Sequence, residues 1–171
     1  MKFRLAHDLF RRASGALLAL PLALAANQGL AQGVTDDMLL NAHKESNNWR
    51  MAGRDYMSTR FSPLNRVNTK NVKRLVPKWS FSFGVLDAQN TTPLIHDGVM
   101  YVTSSHGRTF AVDAKTGSMI WQYNHQLPED VGKNMCCDIG NRGAALYGDK
   151  VFVATPDAHV VALDMKTDKP V

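Results

Sequence analysis

Cys136 and Cys137 are the only cysteines of the 171-residue chain, and they are adjacent. In an oxidising compartment two neighbouring thiols either stay buried and reduced or bond to each other and close an eight-membered ring. Ring closure distorts the peptide between them, and such strain persists where the surroundings enforce it, often at a functional site. On the residues alone both fates are open. Shortly after the pair, in Asp138-Ile139-Gly140-Asn141-Arg142-Gly143, stands an arginine, a permanent cation with five donors suited to an oxyanion or carboxylate. Elsewhere the chemistry is thinner. His43, His96, His106, His125 and His159 are spread over helix, turn and strand edges without ligand spacing, so no metal site is expected from them. The glycines form no strand-to-helix phosphate loop, and no nucleophile stands beside a base.

These residues must be positioned by a largely β scaffold. A short capped helix is expected over 35–43 and a second over 69–75, capped by Asn68 and closed by Pro77, with an ordered loop over 49–68. From Lys78 onward the pattern changes to short β-type runs: 79–83, 99–104, 108–112, 119–123, 144–147, 150–155 and 159–163. Asp97-Gly98 and Gly148-Asp149 supply hairpin turns. Val99-Met100-Tyr101-Val102 aligns with Lys150-Val151-Phe152-Val153, and Asp113-Ala114-Lys115-Thr116 with Asp164-Met165-Lys166-Thr167, at one ungapped offset of 51 residues. A repeat of that length made of antiparallel strands predicts β-propeller blades. Trp121 follows the first turn and is placed to lie between neighbouring blades.

The formal net charge is +5, but Lys2, Arg4, Arg11 and Arg12 all fall in the first dozen positions. With these and Asp8 set aside, 16 basic and 14 acidic side chains remain, a balance that argues against a nucleic-acid partner. The basic start, the apolar run 13–26 broken by Pro21, and the small residues at Ala23-Leu24-Ala25 and Gly29-Leu30-Ala31 have the form of a secretory signal. Arg11-Arg12 adds a weak twin-arginine feature. The domain reading is therefore a signal over 1–31 and propeller over 32–171, exported to the periplasm, with no membrane span once the signal is cleaved.

Several stretches resemble one family. Residues 111–121, Ala-Val-Asp-Ala-Lys-Thr-Gly-Ser-Met-Ile-Trp, are similar to the tryptophan-docking motif that links blades in quinoprotein dehydrogenases. Gly53-Arg54-Asp55-Tyr56, Arg60-Phe61-Ser62-Pro63-Leu64-Asn65, Asn68-Thr69-Lys70-Asn71-Val72 and Thr92-Pro93-Leu94 resemble the opening of the pyrroloquinoline-quinone-dependent methanol/ethanol dehydrogenases. So does Cys136-Cys137-Asp138-Ile139-Gly140-Asn141-Arg142-Gly143, the most specific match. The resemblance implies an all-β, eight-bladed propeller of which this chain is the N-terminal part, with short helices before the first blade. It further implies a vicinal Cys136–Cys137 disulfide against one face of the quinone, and Arg142 bonded to the quinone oxygens beside the reactive carbon. Asn90 stands where family members usually carry a cofactor-holding Glu, and as an amide it retains hydrogen-bonding capacity toward a carboxylate.

Those features imply an enzyme that oxidises small alcohols to aldehydes or ketones with pyrroloquinoline quinone as hydride acceptor and a cytochrome c as electron acceptor. A calcium or lanthanide ion assists in that family. Its ligands, and the catalytic base, are expected beyond Val171, so no catalytic or metal residue is assigned within the chain. The docking turn at 164–168 ends before a matching tryptophan, so the chain is expected to stop inside a repeat, and residues 32–171 alone are expected to be inactive. The competing class is a non-catalytic periplasmic propeller scaffold of the outer-membrane assembly type, which needs no vicinal cysteine pair. Peptide mapping of the exported protein by mass spectrometry under non-reducing conditions should recover Cys136 and Cys137 bonded to each other. Two freely alkylated thiols would be the contrary result.

Overall fold

In the computed structural model, residues 33–171 other than Ala88, Cys136 and Cys137 are described. β1 (Leu94–His96), β2 (Val99–Ser104), β3 (Arg108–Asp113) and β4 (Met119–Asn124) pair antiparallel in chain order. A second sheet repeats the plan with β5 (Ala145–Tyr147), β6 (Lys150–Ala154) and β7 (Val160–Asp164). Asp97 and Gly98 both have positive φ, 48° and 80°, so the β1–β2 turn has the primed geometry that follows strand twist.

The repeat holds at the level of register. Val99 faces Asp113 and Tyr101 faces Ala111 in the first sheet, as Lys150 faces Asp164 and Phe152 faces Ala162 in the second. After each of these hairpins one aspartate organises the turn. Asp113 Oδ1 accepts from the Lys115 and Thr116 amides and the Thr116 hydroxyl at 2.9, 2.7 and 2.9 Å. Asp164 Oδ1 accepts from the Lys166 and Thr167 amides and the Thr167 hydroxyl at 3.0, 2.8 and 2.8 Å. These donors favour the charged form, so both carboxyls are held below the usual aspartate range: Thr116 dominates at Asp113 and Thr167 at Asp164.

Because side chains alternate along a strand, each central strand serves two cores. Tyr101 and Ala111 join Val34, Trp121, Leu146, Val151 and Leu163 in a cluster that spans both sheets. Their neighbours Val102, Phe110 and Val112 form a second cluster on the opposite face, with Phe81 and Phe83 packed against it. Burial on both faces explains why β2 and β3 read as continuous apolar runs and not as alternating ones.

Two indoles join the turns to what precedes them. Trp121, 7% exposed, donates from Nε1 to the Met165 carbonyl at 2.8 Å, and Trp79 donates to the Ala114 carbonyl at 3.2 Å. Ala114 and Met165 are repeat equivalents, so Trp79 plays at the first turn the part Trp121 plays at the second. The sequence reading placed Trp79 at the head of a strand and missed this role. The two passages differ in length. Trp79 precedes its acceptor by 35 residues and Trp121 precedes its own by 44.

Some expected elements are corrected. Residues 79–83 form no strand, because they have no ladder partner among the described residues. Their period-two pattern instead turns Phe81 and Phe83 onto Phe110, with ring centroids 5.3 and 5.6 Å away. The helix expected over 69–75 shrinks to a 3₁₀ turn, Val72–Arg74, entered through a turn in which Asn68 Oδ1 accepts from the Lys70 amide. The expected N-terminal helix is α1 (Asp36–Leu40), capped by the Thr35 hydroxyl, followed by a separate 3₁₀ turn at Ala42–Lys44. A short strand before the Asp97-Gly98 turn, β1, was not foreseen. Its three residues carry too little pattern to be read.

Gly117 (φ +77°) and its repeat equivalent Asp168 (φ +62°) both take the left-handed conformation. A Cβ on Gly117 would also lie 2.6 Å from Cδ2 of Trp79. In the full-length protein Gly117→Ala should therefore destabilise by ~2 kcal/mol or more, since it combines backbone strain with displacement of a docked indole. Asp168→Gly, which removes a side chain from the same backbone conformation, should be neutral or stabilising by up to ~1 kcal/mol. Denaturant melts of both variants beside the parent test the opposite signs.

Candidate functional site

The site is built where the segments leading into the two sheets meet. Thr92, just before β1, and Gly143, just before β5, are repeat equivalents, and they pair through a parallel bridge in which the Thr92 amide donates to the Arg142 carbonyl at 3.4 Å. Gly143 has φ +131°, and a Cβ there would sit 3.3 Å from the Thr92 carbonyl oxygen, so the close approach needs glycine. Asn141 is buried and braces the same loop. Its amide donates to the Ala154 carbonyl at 2.8 Å, and its Oδ1 accepts from the Gly143 amide at 2.9 Å.

Upstream residues fix the Thr92 strand end. The Thr91 and Thr103 hydroxyls are 2.9 Å apart, Gln89 donates to the Ser105 hydroxyl at 3.1 Å, and the His106 amide donates to the Ile139 carbonyl at 3.2 Å. The loop over 49–68 starts from a bridge between Trp49 and Ile95. It is held by buried Arg50, which donates to His96 Nδ1 at 2.9 Å and pairs with Glu45 at 2.6 Å. Hydrogen bonding to Arg50 holds the Glu45 carboxyl below its ordinary range. Arg54, also buried, donates to the Glu45 carbonyl at 2.7 Å.

Together these pieces enclose an open cleft of about 550 Å³ whose wall includes Ala52, Thr92, Gly140, Asn141, Arg142, Gly143, Ala154 and Thr155. Most of the lining residues are small, and Arg142, which is solvent-exposed, adds a positive charge to the wall. A planar, polyanionic group fits that donor set. No carboxylate lines the cleft among the described residues, so none of them is placed there to hold a hard cation.

Of the residues singled out from sequence, Arg142 lies in the cleft wall. Asn90 is exposed on the segment that enters Thr91 and is not part of that wall. Cys136 and Cys137 lie outside the described residues, between Met135, which lines the cleft, and Asp138. Thr155 and Ala52 were missed. Thr155 is the repeat equivalent of Ser104 and was within reach of the 51-residue offset, whereas Ala52 carried no chemical signal. Two of the histidines that showed no ligand spacing in the sequence, His125 and His159, converge on Asp157.

A four-stranded antiparallel sheet followed in the same register by a three-stranded one, indole-docked turns and an arginine-bearing cleft at the junction define a propeller of the quinone-dependent dehydrogenase type. Residues 49–171 match the family described as glucose/ethanol/alcohol dehydrogenase, beta-propeller domain, and the chain belongs to that family. It is 48% identical over 162 residues to 1-butanol dehydrogenase (quinone) of Thauera butanivorans, which covers 91% of this chain and 26% of that protein. Among solved structures it is similar to quinohemoprotein alcohol dehydrogenase from Comamonas testosteroni, with TM-score 0.76 and 38% identity over 81% of this chain and 21% of that one. It is also similar to a europium-containing methanol dehydrogenase, with TM-score 0.74 and 38% identity over 79% of this chain and 24% of that one. The chain thus spans about a quarter of the length of these relatives.

Asn141→Ala should loosen the Arg142 loop without touching its charge. Losing two hydrogen bonds and leaving the Gly143 amide unsatisfied should cost about 1–3 kcal/mol. A thermal melt of the full-length protein reads this directly, and an unchanged melting temperature would show that the loop is held by other means.

Proposed function

We propose that the cleft is one wall of a pyrroloquinoline-quinone site in an exported alcohol dehydrogenase. The observation that carries the reading is the presence of exposed Arg142 in the cleft wall, with its backbone held at the junction of two family-type blades by the Thr92–Gly143 bridge and by Asn141. When bound, the quinone supplies the hydride acceptor for oxidation of an alcohol carbon to a carbonyl. The part of Arg142 is electrostatic: a fixed cation stabilises negative charge that grows on a neighbouring oxygen in the transition state, with little reorganisation. Asn141 and Gly143 hold the loop so that the guanidinium is preorganised. Asn90, two residues before Thr92 of the cleft wall, is proposed as a neutral hydrogen-bonding partner for a cofactor carboxylate, and Cys136-Cys137, as a bonded pair, would offer a rigid face to a flat ring. The names of the relatives support an alcohol as substrate and a quinone as cofactor.

The same reading puts the protein in the periplasm, on the strength of the basic, apolar and small-residue succession at the N-terminus. Within the described residues no helix is long and apolar enough to cross a membrane. A cytochrome c is the proposed electron acceptor. The calcium or lanthanide ion of the family would take its ligands from parts of the protein outside this chain.

In the full-length enzyme Arg142→Ala should lower turnover by roughly a hundredfold or more while leaving the melting temperature nearly unchanged, because the side chain is exposed and acts on transition-state charge. Arg142→Lys should recover part of the loss. Steady-state kinetics beside a melt and a quinone-binding titration separate these effects. Unchanged turnover in a folded variant would remove Arg142 from the site.

A further inference from the structure

His125 follows β4 of the first sheet, whereas Asp157 and His159 belong to the tight turn between β6 and β7 of the second. His125 Nε2 lies 3.1 and 3.0 Å from the two Asp157 carboxylate oxygens, and His159 Nδ1 lies 3.1 Å from Oδ2. The three groups can present one ligand atom each within 4.8 Å of one another. Three groups that converge from two blades are held by more than mutual attraction.

Each partner is braced from behind. The His125 amide donates to the Gly107 carbonyl at 3.0 Å, and a Cβ on Gly107 would meet His125 Cβ at 2.9 Å, so glycine makes room for this histidine. The far nitrogen of His125, Nδ1, sits 3.3 Å from the Tyr123 hydroxyl, which leaves Nε2 facing the carboxylate. The Thr155 hydroxyl donates to Asp157 Oδ1 and orients the carboxylate. The turn itself is closed by Thr155 N to His159 O at 2.8 Å and Ala158 N to Thr155 O at 3.0 Å, with Ala158 in the left-handed region at φ +64°. Hydrogen bonds from Thr155, then His125, hold the Asp157 carboxyl well below the usual aspartate range, so it is anionic throughout neutral conditions. Side-chain exposure is 16% for His125, 12% for Asp157 and 68% for His159, so the cluster is sheltered on one side and open on the other.

We propose that His125, Asp157 and His159 bind one borderline divalent transition-metal ion, of the zinc or copper class, that ties the first blade to the second. Two imidazoles and one carboxylate form the donor set such ions prefer, whereas calcium and lanthanides seek all-oxygen shells. Three protein ligands and one open side leave a coordination position for water. Tyr123 and Thr155 supply the outer hydrogen bonds that orient histidine and carboxylate ligands. Metal binding requires each ring to present a lone pair where it now shares an N–H with Asp157, so each neutral ring then carries its single proton on the other nitrogen, which for His125 is Nδ1, toward the Tyr123 hydroxyl.

The test uses the full-length protein, stripped with a chelator and then kept in excess calcium so that hard-cation sites are filled. Titration with Zn²⁺ by calorimetry, and with Co²⁺ followed by its visible absorption, should show one equivalent per chain. His159→Ala, at an exposed position that packing does not need, should weaken binding about tenfold or more and abolish the Co²⁺ spectrum, while its circular dichroism matches the parent. His43→Ala, an exposed histidine outside the cluster, should bind as the parent does. Asp157→Asn should behave like His159→Ala. No uptake by the parent protein, or equal uptake by the parent and His159→Ala, overturns the assignment and leaves a purely hydrogen-bonded clamp.

Discussion

The structure depends on a single repeated contact, an indole N–H given to the carbonyl of a turn one blade further on. Trp79 makes it to Ala114 and Trp121 to Met165. The bond is worth only about 1 kcal/mol in net terms, but at Trp121 it places a large ring in the core shared by the two sheets, where burial of a side chain of that size contributes ~2–3 kcal/mol more. It also fixes position. The acceptor carbonyl follows directly after the aspartate that gathers the Thr amide and hydroxyl, so the turn is rigid before the indole arrives. Strand, turn and neighbouring blade are thereby set by three residue types, Asp, Thr and Trp.

From that joint the cleft follows. Once two blades stand side by side in the same register, residues at equivalent positions of their entering segments come within bonding distance, and Thr92 and Gly143 pair. The pairing needs no catalytic purpose, yet it brings Arg142 and Met135 to one cleft. The backbone on either side of Arg142 is pinned by Asn141 and by the bridge, while its side chain is exposed.

Much of this was legible in the chain. Val99 to Ser104 and Lys150 to Ala154 announced themselves through β-branched and aromatic runs bounded by Asp-Gly and Gly-Asp turns, and the 51-residue offset identified the strands that are equivalent in the two sheets. The arginine of the cleft could be named from its motif. What stayed hidden was relational. Trp79 looked like the first residue of a strand because its docking partner lies outside any local window. The convergence of His125, Asp157 and His159 could not be read because it joins a strand end of one blade to a turn of the next. Residues 69–75 were over-read as a helix because Asn-capped turns and true helix starts share the same first residues.

The unequal reach of the two indoles, 35 residues for Trp79 and 44 for Trp121, bears on how such a protein can change. Both spans end on the same geometry at the same place in the repeat, so the additional nine residues of the second are confined to the stretch between β4 and β5. That stretch holds the cysteine pair and Arg142. The spacing of the two blades is thus insulated from the length of that segment. Insertions there can reshape the wall of the cleft while the neighbouring blades keep their spacing.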